Sequence, residues 1–179
     1  MSFDYTNKAW MRQRRNSLKN TSYDAENNEY MTESDLNVLS FDDIKEDYLK
    51  EHNLRADMAN SADALSTDGD LTYLIEFKNG KETDHHQIEN KLKDSVSILC
   101  DEWGRTLSDT RKDIVFVLVY NEDQKHFPEI DRRAIAMANK SGNPHKHFGL
   151  NKANMYVKKA VIFSKTELET KLLKRLKAI

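Results

Sequence analysis

The run Ile114-Val115-Phe116-Val117-Leu118-Val119-Tyr120 is the most apolar stretch of the chain and restricts its fold more than any other feature. It is too short for an ordinary helix, it is rich in β-branched residues, and it does not alternate apolar with polar. A run of that kind is a strand buried on both faces. Such a strand belongs to the centre of a sheet, and that sheet needs a layer of helices or loops on each side.

The flanking sequence supplies the layers. Ser40 is a candidate N-cap, with Asp42 and Asp43 in the following turn, and Phe41, Ile44 and Tyr48 share one face of a helix over 40–51. A weak strand signal at 61–65, the turn Thr67-Asp68-Gly69-Asp70 and a strong strand over 71–78 closed by Asn79-Gly80 predict a β-hairpin. Ile88, Leu92, Val96, Leu99 and Trp103 recur at helical spacing over 84–103, and Gly104 stands where that helix should end. Beyond the central strand the pattern predicts a helix over 128–139, a loop over 141–151, a strand over 155–163 and a closing helix over 166–177. The expected fold is α/β, a mixed central sheet flanked by helices on both faces.

With 179 residues the chain has room for one sizeable core. The expected organisation is an N-terminal arm over 1–40, partly ordered, and a single α/β domain over 41–179. Lys8, Arg12, Arg14, Arg15 and Lys19 make the arm locally basic around Trp10, which suits either a strap on phosphates or a plain tail. No apolar run is long enough to span a bilayer and none resembles a secretory signal, so a cytoplasmic protein is expected. The single cysteine, Cys100, excludes an internal disulfide framework and a multi-cysteine zinc site, and its apolar surroundings suggest a buried thiol. Acids and bases number 30 and 28, so any grip on nucleic acid has to be local.

The pattern acid-x-Lys recurs in this charged chain, at Asp43, Glu76, Glu89, Asp123 and Glu169, and means nothing alone. Among these, Glu76-Phe77-Lys78 ends a predicted strand. If Asp68-Gly69 forms the two-residue turn, Thr67 pairs with Asp70 and Asp63 lies opposite Leu74. Asp63, Glu76 and Lys78 then share one face, and Leu71, Tyr73, Ile75 and Phe77 share the other. Asp63 and Glu76 would be diagonal neighbours on the order of 7 Å apart. Two carboxylates so close repel unless a proton or cation lies between them. Hard oxygen ligands suit Mg²⁺ or Mn²⁺, with the Phe77 backbone carbonyl as a further ligand and Lys78 placed to orient water or stabilise negative charge.

Asp63, eleven intervening residues and then Ile75-Glu76-Phe77-Lys78-Asn79-Gly80 resemble the core of the PD-(D/E)xK, or restriction-endonuclease-like, superfamily, over roughly residues 41–120. The resemblance implies a Mg²⁺-dependent nuclease of the small phage or mobile-element kind, with DNA as substrate and Asp63, Glu76 and Lys78 as catalytic residues. Ala62 stands where the motif has proline. Members also carry a carboxylate on the leading helix, for which Asp43, Glu46, Asp47 and Glu51 compete and Glu46 is chosen. RecB-like members place Gln-x-x-x-Tyr on the next helix. Gln87 and Lys91 have that spacing, with lysine in place of tyrosine, which makes both accessory candidates. A non-catalytic module that retains the fold to bind nucleic acid or protein is the alternative, and a homodimer or a protein partner fits either reading.

Other features have plainer readings. His85-His86 are adjacent on a helix and diverge, so they cannot readily share an ion. His145-Lys146-His147, after Asn143-Pro144, reads as a surface loop. Leu168, Leu172 and Leu176 form a core stripe, and Lys171, Lys174, Arg175 and Lys177 suit the C-terminal end of the last helix.

Overall fold

The computed structural model describes residues 9–79, 85–123, 129–142, 145 and 148–176, except the side chains of 9–11, 85 and 129–131. Its centre is a six-stranded mixed sheet in the order β1-β4-β5-β6-β7-β8. The strands are β1 (Arg15–Ser17), β4 (Asn37–Ser40), β5 (Ala64–Asp68), β6 (Leu71–Lys78), β7 (Ile114–Tyr120) and β8 (Lys159–Ser164), while β2 (Tyr23–Asp24) and β3 (Glu29–Tyr30) form a separate hairpin. Strands β1, β4, β5 and β6 pair antiparallel in turn, whereas β6, β7 and β8 run parallel and therefore end at the same edge. All seven residues of β7 are buried, as its unbroken apolar run requires.

The single-turn helix α1 (Leu18–Thr21) follows β1, and both faces of the sheet are covered. Helices α2 (Phe41–Glu51) and α3 (His85–Trp103) pack Phe41, Ile44, Ile88, Leu92, Val96 and Leu99 against Leu74, Phe116 and Leu118. On the opposite face, Leu168, Leu172 and Leu176 pack with Leu18 and Met31 against Tyr73, Ile75, Val115 and Val117. The last helix begins as a single α-turn, α6 (Lys165–Glu167), and continues as the π-helical segment Leu168–Leu172. Among the described residues, no helix is long and apolar enough to cross a membrane.

Local chemistry explains most of the boundaries. The Ser40 hydroxyl caps α2 by accepting from the Asp43 amide, with Asp42 and Asp43 favouring the positive end of the helix dipole. Gly104, at φ 60°, ends α3 in the left-handed conformation that glycine adopts without strain. The edge of β8 is closed by α5 (Glu129–Ser141): Asn139 donates to the Ile162 carbonyl at 2.7 Å and accepts its amide at 3.0 Å, as a neighbouring strand would.

Four expectations change. The hairpin loop is Gly69-Asp70, because Asp68 pairs with Leu71 and Thr67 with Thr72. This register gives the positive φ to Gly69 (58°), whereas the expected turn demanded it of Asp68. Residues 15–40, expected as part of an arm, supply two strands of the main sheet and the β2–β3 hairpin. Each piece is too short to show a period. The strand expected over 155–163 begins at Lys159, after the 3-10 helix Leu150–Met155, and a short helix α4 (Leu107–Asp113) precedes β7 behind a Thr106–Asp109 capping box. His145 is buried rather than on a surface loop, and Asn143, Pro144, Lys146 and His147 lie outside the described residues.

Candidate functional site

Asp63 lies where β5 begins. Its amide donates to the Ile75 carbonyl at 2.9 Å, although Ala64 is the register partner of Ile75. Two residues of one strand thus face one of the other, the count of a β-bulge, a feature that re-aims side chains and ends pairing. The Asp63 carboxylate takes over as acceptor and receives the Phe77 amide at 2.6 Å. A strand residue's carbonyl points to the same side as its amide, so the Phe77 carbonyl also faces the end of β5. The Asp63 carbonyl accepts from the Phe41 amide at 3.1 Å, which ties the start of α2 to the same point.

Glu76, on β6, faces α3 in the same layer as Leu74, and its side chain is 3% exposed. Lys91 reaches down from α3 and places Nζ 2.7 Å from Glu76 Oε1 and 3.4 Å from Asp63 Oδ1. The cation that the sequence demands between two carboxylates is, in this structure, an ammonium of the chain itself. It neutralises one charge of two. Glu76 Oε2 is buried and has no hydrogen-bond partner among the described residues.

Burial pushes the Glu76 carboxyl well above its usual range and the Asp63 charge adds to the effect, against the pull of Lys91. Burial likewise lifts Asp63 to about 6, opposed by Lys91 and the Phe77 amide. Burial works against the charge of Lys91 too, but Glu76 and Asp63 outweigh it and hold the ammonium protonated.

These groups open on a cleft of ≈ 340 Å³ walled by β6, α3 and the β2–β3 hairpin, whose lining includes Lys78, Gln87 and Asp24. Lys78 lines the cleft with no ion-pair partner among the described residues. Gln87 is exposed at its rim. The hairpin wall is fixed in place. Asn121 donates to Asn79 Oδ1 at 2.6 Å, Asn79 donates to Glu29 at 3.2 Å, and Lys165 pairs with Glu29 at 2.7 Å.

The structure therefore gathers Asp63, Glu76, Phe77, Lys78, Gln87 and Lys91 around one cleft. Glu46 is elsewhere, exposed on α2 and paired with Lys50 at 3.6 Å. Asp42 is the α2 carboxylate whose charge acts on Asp63, Glu76 and Lys91 alike. It accepts from Ser61 and lies 3.3 Å from Lys45. Sequence reasoning passed over Asp42 because first-turn acids are ordinary helix starts; the usable signal was its adjacency to Phe41, the residue that binds the Asp63 backbone.

Of the remaining candidates, His86 is exposed and Cys100 is half-buried. Arg14 and Lys19, from the basic opening, are bound to Asp47 and Glu33. Among the described residues, no group of three or more His, Cys, Asp and Glu side chains is gathered as a metal site. In comparisons with known proteins, the chain matches no family model, no curated protein and no solved structure.

Proposed function

We propose that the chain is a Mg²⁺- or Mn²⁺-dependent nuclease with a restriction-endonuclease-like core, hydrolysing phosphodiester bonds in DNA at the Asp63–Glu76–Lys78 cleft. One observation carries the reading: Glu76 is buried beside Asp63 with one carboxylate oxygen unpartnered, at the wall of a solvent-open cleft. Folding alone does not favour this, since an unsatisfied buried carboxylate costs stability. A site that needs hard oxygen donors accounts for it.

The donor set fits a divalent cation. Asp63 and Glu76 would hold it together with the Phe77 carbonyl, leaving the remaining positions to water and phosphate oxygens. When bound, such an ion polarises the phosphoryl group and lowers the pKa of water. Lys78, without an ion-pair partner among the described residues, would stabilise negative charge on the phosphoryl oxygens. Lys91 compensates the carboxylates that Asp42 further crowds with negative charge. The braced β2–β3 hairpin gives the cleft a fixed wall.

The test is cleavage of linear, circular, branched and single-stranded DNA with Mg²⁺ or Mn²⁺, alongside Asp63→Asn, Glu76→Gln and Lys78→Ala proteins. Cleavage by the native chain should fall by about 10²-fold or more in each variant. Equal cleavage by all four proteins would end the proposal. A second reading, a binding module that retains the fold, is favoured by Lys91 already lying against both carboxylates. No cleavage together with no calorimetric signal for Mg²⁺ or Mn²⁺ would establish Asp63, Glu76 and Lys91 as a structural ion cluster.

A further inference from the structure

A groove of ≈ 540 Å³ runs beside β8, between α5 and the last helix, and Lys140, Lys159, Lys171, Lys174 and Arg175 line it. Glu167 is the acid in its lining, and it is engaged by Lys171 at 2.5 Å. Lys140, Lys159, Lys174 and Arg175 have no carboxylate partner among the described residues. Elsewhere several cations are matched: Arg14 with Asp47, Lys93 with Glu89, Arg105 with Asp113, Lys165 with Glu29. In a chain with more acids than bases, four uncompensated cations along one groove are a local concentration of positive charge that the fold does not use.

Plainer explanations cover these residues one at a time. Lysine on an edge strand discourages strand pairing, which accounts for Lys159. Basic residues suit a helix C-terminus, which accounts for Lys174 and Arg175. The same reason covers Lys140, in the last turn of α5, but neither reason brings the cations of three elements to the banks of one groove. The cations come from three separate elements, a spacing that suits an extended polyanion better than a single phosphate. Half-buried Phe163 supplies an apolar floor against which a sugar or base can rest.

We infer that this groove docks the phosphate backbone of a nucleic acid strand. It lies beyond β8, two strands from the candidate catalytic strand β6 and so roughly 10 Å or more away across the sheet. It holds substrate apart from the chemistry, and this role goes beyond the nuclease reading. The near-neutral chain thereby acquires a local grip.

The experiment is fluorescence anisotropy of labelled single- and double-stranded oligonucleotides with the full chain in EDTA, across a range of salt. A quadruple variant, Lys140→Gln, Lys159→Gln, Lys174→Gln and Arg175→Gln, is compared with a control that loses the same charge at the exposed residues Lys50, Arg55, Lys112 and Lys152. The groove variant should lose at least tenfold in affinity at low salt, and its log–log salt slope should fall by about 3, since each phosphate contact contributes about 0.7 to 0.9. The control should keep most of both. Equal losses in the two variants, or an unchanged slope in the groove variant, overturn the proposal. So does a native chain that ignores both oligonucleotides but binds polyglutamate, which would assign the groove to an acidic protein. Because binding is read without divalent metal, lost cleavage with intact groove binding refutes the nuclease reading alone.

Discussion

Two buried ionic clusters in this molecule are built on opposite principles. Arg105, with its side chain 4% exposed, meets Asp113 through one guanidinium nitrogen that lies 2.6 Å from each carboxylate oxygen. One cation faces one anion, and the pair closes the junction between α3 and β7. The other cluster has two carboxylates for one ammonium, a third carboxylate acting on it from α2, and an oxygen left without a partner. The first is complete within the fold. The second is short of positive charge, a deficit that the cation of the proposed function would make up.

The largest effect separating the two should come from breaking the complete pair. Asp113→Ala leaves the Arg105 guanidinium buried without its carboxylate and should destabilise the chain by about 3–5 kcal/mol, measured by urea unfolding. A change below about 1 kcal/mol would mean that water reaches Arg105 freely and the comparison fails.

The incomplete cluster should respond with the opposite sign. Asp63 carries a pKa raised to about 6, so the folded state holds an extra proton between roughly pH 4 and pH 6. Stability therefore falls as pH rises through that window, and the deficit persists above it. Asp63→Asn removes the titration while keeping an oxygen for the Phe77 amide. It should gain about 1–3 kcal/mol at pH 8 and flatten the slope between pH 4 and 6 in denaturant titrations. A loss of stability at pH 8 would show that the carboxylate is satisfied by Lys91 after all.

The smallest expected effect sharpens the contrast at the Arg105 end. Thr106 and Asp109 form the capping box that starts α4, the helix carrying Asp113. Thr106→Ala should cost about 1 kcal/mol and leave any Mg²⁺ response unchanged, as read by thermal melts with and without the ion. A change in that response would couple the two clusters.

The site was legible in part, for identifiable reasons. Strand alternation put Glu76 and Lys78 on one face, and this survived a wrong register because the pairing slid by two residues, which preserves parity, while Asp63 lines the same cleft from the bulge at the start of β5. Lys91 shared a helix flank with Gln87, but its burial between two carboxylates depends on how close α3 lies to β6. Asp42 was hidden for the same reason, since its neighbours Glu46 and Asp47 carry the same charge in the same helix and only packing distinguishes them. Glu46 points to solvent.

The sequence by itself determined the elements whose patterns are local and strong: the doubly buried β7, the α3 stripe, the Ser40 cap and the glycine endings. It also determined that opposing carboxylates would need a counter-charge. Tertiary structure alone decided what supplies it, because a charge pattern in sequence has no distances and the cost of burial depends on neighbours far along the chain. The same holds for the pieces of 15–40, too short to declare themselves as strands until the sheet receives them, and for the β8 groove, whose cations come from segments up to 35 residues apart.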